Sequence, residues 1–184
     1  MHELILGGAR SGKSRAAEAR AAAWLQQPGR SATLLATAEA GDDEMAERIR
    51  RHQAHRAQRV PALAVVEVGR DLAGTLRREA GEGHLLVVDC LTLWLTQCAM
   101  PVNGPAHDTG ALEAAIDALV RALREAAGPV VLVSNEIGLG VMPMGAETRR
   151  FVDLLGGLHQ VVAACCSRVT LMVAGHGLVV KGAA

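Results

Sequence analysis

A glycine-rich segment near the start of the sequence has the composition of a loop that binds phosphate groups. It comprises Gly7, Gly8, Ala9, Arg10, Ser11, Gly12, Lys13 and Ser14. Glycines let backbone N–H groups converge on phosphate oxygens, the lysine reaches the β- and γ-phosphates, and the final serine offers a hydroxyl to Mg²⁺. Leu4-Ile5-Leu6 precedes the segment as a strand, and helical composition follows Ser14. The pattern predicts a P-loop for ATP or GTP rather than a chance glycine-rich turn.

Polar side chains follow two later apolar runs. Asp89 comes directly after Leu85-Leu86-Val87-Val88, and Asn135 and Glu136 follow the run that ends at Val133-Ser134. A carboxylate at the carboxyl end of a parallel strand can reach Mg²⁺ or a nucleotide beside a P-loop. Asp89 could instead cap a helix that begins at Cys90. Either Asn135 or Glu136 could orient a nucleophile, and a structural turn is the alternative.

The segment from Gly41 to Arg56 begins with acidic residues and ends with basic ones, a distribution that matches the dipole of a helix. His52 and His55 lie three positions apart and could share one face of this helix. Exposed histidines on a charged helix are usually only solvated. A neutral imidazole held over a nucleotide could, however, attack phosphorus and form a phosphoramidate.

The alternation of short apolar runs with longer amphipathic ones predicts an α/β fold of the P-loop NTPase type (RecA-like), a doubly wound, mainly parallel sheet with helices on both faces. We expect one P-loop nucleotide-binding domain over residues 1–184, with breaker-rich loops at 100–110 and 138–145. The predicted strands are 4–6, 32–36, 64–68, 84–88, 129–133 and 169–173, with a possible edge strand at 179–181. The predicted helices are 13–25, 42–56, 71–80, 110–126 and 146–165.

Composition narrows the classes of partner. The 19 basic and 19 acidic residues cancel, and only one Phe and two Trp are available for stacking, so we expect no nucleic-acid partner. The first residues lack the pattern of a secretory signal, and no apolar run is long enough for a membrane span, so we expect a cytoplasmic protein. The four cysteines have no spacing typical of a metal site or a disulfide framework.

Four blocks together resemble a known enzyme family, the bifunctional adenosylcobinamide kinases and adenosylcobinamide-phosphate guanylyltransferases of cobalamin biosynthesis. They are the P-loop, the acidic helix 42–49 with Ala36-Thr37 before it and His52 after it, the strand end 88–92, and residues 134–140 with 150–153. The acidic helix with its histidine is far more specific than the P-loop. The chain departs from the family pattern at Arg51, at the stretch around Glu67, and at His159-Gln160, where the family has Asn-Gln.

The resemblance implies two reactions, phosphorylation of adenosylcobinamide with ATP or GTP and transfer of GMP from GTP to adenosylcobinamide phosphate. It implies that His52 carries the GMP covalently and that Lys13 assists catalysis. The loop hydroxyl and the strand-end carboxylate place the expected Mg²⁺ near Ser14 and Asp89. By resemblance the protein is a homo-oligomer, a trimer. The implied nucleotide contacts are Gly7 to Ser14, Ala36, Thr37, Ala38, Gln53, Ala54, His55, Arg56, Glu67 and Asp89.

Two other functions remain open from the residues alone. A simple small-molecule kinase would transfer only the γ-phosphate and would need no covalent histidine. A nucleotide-dependent switch would hydrolyse slowly and change a partner interface, because P-loops serve many functions. Neither alternative accounts for all four blocks together.

Overall fold

A computed structural model describes residues 1–141 and 143–183, with every side chain in these ranges except that of Arg48. The strands are β1 (His2–Gly7), β2 (Ser31–Ala36), β3 (Ala64–Glu67), β4 (His84–Asp89), β5 (Val130–Asn135), β6 (Arg168–Val173) and β7 (His176–Lys181). The helices are α1 (Lys13–Leu25), α2 (Asp43–Arg59), α3 (Leu72–Glu79), α4 (Leu91–Ala99), α5 (Thr109–Glu125) and α6 (Ala146–Cys165).

The strands form one sheet in the order β3-β2-β4-β5-β1-β6-β7. Strands β1 to β6 pair in parallel, and only β7, at the edge, runs antiparallel to its neighbour β6. The carboxyl ends of β1, β2, β4 and β5 therefore lie at one edge of the sheet, where open α/β sheets bind their ligands. This architecture confirms the predicted P-loop α/β fold class.

Successive side chains along each strand point to opposite faces of the sheet and pack into two separate cores, one on each face. On β1, Leu4 belongs to one core and Ile5 to the other, and both are fully buried. Helices α3, α4, α5 and α6 cover the face of Leu4. Helix α1 and the residues just after α2 cover the face of Ile5. Burial on both faces explains why the central strands are continuously apolar.

The main error in the predicted elements is α4, which is missing from the predicted helices although a helix after Asp89 is considered as an alternative role for that residue. Its residues Leu91, Trp94, Leu95 and Cys98 are all buried, at the spacing of one helix face. Because the neighbouring residues are also largely apolar, the helical spacing of these four does not stand out in the sequence. The other differences are shifts of boundaries: α2 continues to Arg59, and β7 already begins at His176.

Helix α2 is the most exposed helix beside the carboxyl edge. Its N-cap is Asp42, whose carboxylate accepts a hydrogen bond of 2.7 Å from the Met45 N–H. Acidic residues occupy its first turn, and Arg56 and Arg59 occupy its last turn, as the helix dipole favours. Among the helices of the described residues, none is long and apolar enough to cross a membrane.

Candidate nucleotide site

The predicted P-loop joins β1 to α1 at the carboxyl edge of the sheet. Gly7 and Gly12 both have positive φ, 154° and 99°. A Cβ atom on Gly7 would lie 2.5 Å from the Met172 carbonyl oxygen, so only glycine fits there. The Lys13 ammonium is buried and donates a 2.6 Å hydrogen bond to the Gly8 carbonyl oxygen. The free N–H groups at the start of α1 and this cation make a site for a polyanion.

Asp89, at the end of β4, lies beside the P-loop. The Ser14 hydroxyl donates to its carboxylate at 3.4 Å. Burial raises the pKa of Asp89, while the Ser14 hydrogen bond and the nearby His52 and Arg56 oppose that rise. A carboxylate with a raised pKa at the edge of a cleft is a typical feature of a functional site.

The Asp89–Cys90 junction is held by the side chain of Thr37, which is fully buried. The Thr37 hydroxyl donates to the Cys90 carbonyl oxygen at 2.7 Å and accepts from the Cys90 N–H at 2.8 Å. The Gln97 amide donates to the Thr37 carbonyl oxygen at 2.5 Å. Thr37 therefore fixes the end of β4, and its side chain does not line the cavity that its neighbours Ala36 and Ala38 line.

Helix α2 lies across this site and presents one face to it. Arg56, on that face, is only 7% exposed. The Arg59 guanidinium forms a 2.6 Å ion pair with Glu18 of α1, whose side chain is 9% exposed. The C-terminal half of α2 is thereby anchored to α1, and His52 lies close enough to Asp89 to lower its pKa.

One cavity of about 360 Å³ brings most of the predicted site residues together. Among its lining residues are all of the predicted ones except Gly7, Gly8, Thr37 and Ala54. Gly7 and Gly8 still belong to the loop, whereas Ala54 is an exposed residue of α2. Of the predicted residues, those that line the cavity are Ala9, Arg10, Ser11, Gly12, Lys13, Ser14, Ala36, Ala38, His52, Gln53, His55, Arg56, Glu67 and Asp89.

The cavity also contains residues that the sequence analysis missed. Met45 and Ile49 lie seven and three positions before His52, which places all three on one face of α2. Glu18 lies one helical turn after Ser14 in the same way. Helical spacing from an already chosen residue was thus the signal that could have found them. The remaining additions are Arg15, Arg59, Cys90, Leu93, Val133 and Asn135, the last of which had been considered only for orienting a nucleophile.

The fold and this cavity define the class of the protein, a P-loop protein in which the loop and a histidine-bearing helix line one cavity. A comparison with known families is more specific, because residues 3–180 match "Cobinamide kinase / cobinamide phosphate guanyltransferase". The chain belongs to this family. The family expected from the four sequence blocks, and its kinase and guanyltransferase activities, are confirmed.

Curated relatives cover nearly the whole chain. "Bifunctional adenosylcobalamin biosynthesis protein CobP" of Pseudomonas aeruginosa is 48% identical over 99% of this chain and 98% of its own length. "Bifunctional adenosylcobalamin biosynthesis protein CobU" is 33% identical in Escherichia coli and 34% identical in Salmonella typhimurium, each over 97% of this chain and 98% of the relative.

A solved structure supports the fold alone. The flagellar accessory protein FlaH of Methanocaldococcus jannaschii superimposes with a TM-score of 0.51 at 12% identity, covering 98% of this chain and 78% of FlaH. Identity this low carries no information about substrates.

Proposed function

We propose that the chain phosphorylates adenosylcobinamide with ATP or GTP and then transfers GMP from GTP to adenosylcobinamide phosphate, with both reactions in this one cavity. The observation that supports both is the presence of Lys13 and His52 among the lining of the same cavity. A P-loop lysine serves the phosphates of either nucleotide. An imidazole in the lining of this cavity supplies the nucleophile that guanylyl transfer needs.

In the kinase reaction the substrate hydroxyl attacks the γ-phosphorus, and the bond from that phosphorus to the β–γ bridging oxygen breaks. In the guanylyl reaction a neutral His52 nitrogen attacks the α-phosphorus, and pyrophosphate leaves as the bond to the α–β bridging oxygen breaks. The phosphate of adenosylcobinamide phosphate then displaces His52 and takes the GMP. The P-loop N–H groups and Lys13 stabilise the negative charge that develops on the phosphates in both reactions.

The residues around Ser14 and Asp89 fit Mg²⁺. Their hydroxyl and carboxylate oxygens are the kind of ligand that Mg²⁺ prefers. In the described part of the chain, no group of three or more His, Cys, Asp or Glu side chains could hold a metal by itself. That fits an ion whose remaining ligands are waters and substrate phosphates. When bound, Mg²⁺ would neutralise charge on the phosphates.

The other predicted contacts complete the proposal. Gln53, His55, Arg56 and Glu67 lie in the cavity wall, where they are available to the nucleotide. Thr37 would act by holding Asp89 and Cys90 in place. A homotrimeric assembly stays a prediction from the resemblance, which light scattering on the purified protein would test.

Product analysis tests the two reactions. Purified protein is incubated with adenosylcobinamide, GTP and Mg²⁺, and the corrinoids are separated. Wild type should give the phosphate and then the GDP derivative, whereas His52→Ala should accumulate the phosphate. A wild type that stops at the phosphate would contradict the proposal and indicate a simple kinase.

A further inference from the structure

The structure separates the two polar residues that follow β5. Asn135 lines the nucleotide cavity together with Lys13, Ser14 and Asp89. The Glu136 carboxylate is occupied elsewhere: it accepts a 2.7 Å hydrogen bond from the Gly138 N–H and lies 3.6 Å from His159 Nδ1. Of these two residues, only Asn135 is available to a bound nucleotide.

The position of Asn135 is set by the sheet. Strand β5 lies between β4, which ends at Asp89, and β1, which leads into the P-loop. Asn135 is paired in register with Gly7, the first residue of the loop. Within the described residues, no hydrogen bond joins the Asn135 side chain to another group. Its amide, which has two donors and one acceptor, therefore has its hydrogen-bonding capacity free on the cavity wall.

A buried polar chain holds the backbone of Asn135. Its N–H donates to the Thr92 hydroxyl at 2.8 Å, and that hydroxyl lies 3.0 Å from the Ser134 hydroxyl. The Ser134 hydroxyl is 2.7 Å from His159 Nε2. Thr92, Ser134 and His159 are 8%, 0% and 7% exposed, so these contacts are shielded from water. The chain joins α4, β5 and α6 directly behind Asn135.

The hydrogen bonds of this chain all run in one direction. The Glu136 carboxylate can only accept, which favours the hydrogen of the His159 ring on Nδ1. His159 Nε2 then accepts from the Ser134 hydroxyl, and Ser134 accepts from Thr92. Thr92 in turn accepts from the Asn135 N–H, which can only donate. The Asn135 N–H, the two hydroxyls and His159 Nε2 each have a partner, an arrangement that makes a buried network rigid.

We propose that the Asn135 amide binds the terminal phosphate of the nucleoside triphosphate, with Thr92, Ser134, His159 and Glu136 as the network that positions it. Asn135 sits beside Gly7 and near Lys13 and Asp89, at the edge where the phosphates must lie. Its N–H groups would donate to phosphate oxygens in addition to those of the loop. The inference rests on the proposed nucleotide binding in this cavity.

Calorimetric affinities for GDP and for the α,β-methylene analogue of GTP, whose α–β bridge His52 cannot cleave, test the Asn135 contact in the presence of Mg²⁺. Asn135→Ala should lose about tenfold in affinity for the triphosphate analogue and keep its GDP affinity, since one charge-assisted hydrogen bond is removed. Asn103→Ala is the matched control, because Asn103 is exposed and its backbone carbonyl oxygen accepts a hydrogen bond from Arg70, which the substitution leaves in place. The ratio of its affinity for the triphosphate analogue to its affinity for GDP, here called the triphosphate preference, should equal that of wild type.

The positioning network is tested through Thr92, which lies outside the cavity lining. Thr92→Val keeps the shape and removes the hydroxyl, and it should reduce the triphosphate preference. Thr92→Ser should restore it. On the Asn135→Ala background Thr92→Val should have no further effect, because the two residues act as one unit.

An unchanged triphosphate preference in Asn135→Ala would overturn this assignment while leaving the proposed function intact. Additive effects of Thr92→Val and Asn135→Ala would overturn the positioning role. A wild type that binds neither nucleotide would overturn the nucleotide site itself and the inference with it.

Discussion

The Ser14 hydroxyl and the Asp89 carboxylate lie 3.4 Å apart although 75 positions separate them in the sequence. Ser14 lies in the first turn of α1 and Asp89 ends β4, and the parallel sheet brings the two to one edge. Since burial raises the pKa of Asp89 without a ligand, its negative charge is poorly compensated in the free protein. Binding of Mg²⁺ together with a nucleotide would compensate this buried negative charge.

Asp89→Asn should therefore stabilise the free protein and weaken ligand binding. A raised pKa in the folded state means that stability falls as pH rises from about 4, where the unfolded carboxyl ionises. Asn keeps the shape without the charge. The thermal midpoint of Asp89→Asn without ligand should exceed that of wild type at pH 7 and should gain much less from Mg²⁺ and GTP. A lower midpoint at pH 7 without ligand would contradict this account.

Lys13→Ala should impair both reactions, because both depend on charge that develops on the phosphates. We expect kcat/KM to fall by about 10²- to 10³-fold in each, as for loss of one major electrostatic group. Lys181→Ala is the matched control, since Lys181, the only other lysine, donates to the Ala163 carbonyl oxygen on the surface. Steady-state kinetics of both reactions measure the effect, and a guanylyl reaction unaffected by Lys13→Ala would separate the two sites.

His159 should make the protein less stable in mild acid. Burial lowers the pKa of His159 below its ordinary value near 6.5, and Glu136 only partly opposes this. A lowered pKa in the folded state means that the unfolded state binds more protons, so stability is lost as pH falls below about 6.5.

Urea unfolding at several pH values between 5 and 8 measures how the free energy of unfolding changes with pH, which is the slope in question. His159→Asn should flatten it, whereas His176→Asn should leave it unchanged, because His176 is exposed on β7. Equal slopes for wild type and His159→Asn would show that His159 does not titrate in this way.

The β6–β7 turn offers a prediction about stability. Ala174 and Gly175 have φ values of 50° and 84°, as in a two-residue type I′ turn, and the Gly175 N–H donates to the Ser11 carbonyl oxygen at 2.9 Å. Asn tolerates this conformation better than Ala. Ala174→Asn should stabilise by about 0.5–1 kcal/mol, measured by urea unfolding. If the free energy of unfolding stays the same or falls, the positive φ of Ala174 does not destabilise the protein.

The parts of the site that sequence could predict are those set by local spacing. The P-loop needs its glycines, lysine and serine in one run, and Asp89 directly follows an apolar strand, so each could be assigned from a few residues. His52 was assigned through resemblance, because nothing in a charged, solvated helix marks one histidine as chemical. Its place in the cavity depends on how α2 meets the sheet.

The parts that sequence could not predict depend on tertiary contacts. The role of Thr37 follows from its bonds to Cys90, 53 positions away, and that of His159 from Ser134 and Glu136 on a neighbouring strand end. His159-Gln160 stood out only as a departure from the family pattern. Helix α4 was missed because its apolar face lies within a segment that is apolar almost throughout.

Covalent labelling tests the central claim most directly. Wild type, His52→Ala and the control His55→Ala are incubated with Mg²⁺ and GTP labelled in the α-phosphate, denatured and tested for label that is acid-labile and base-stable. His55 lines the same cavity one helical turn from His52, so it controls for general damage to the site. The account predicts label on wild type and His55→Ala and none on His52→Ala. Label retained on His52→Ala would contradict it.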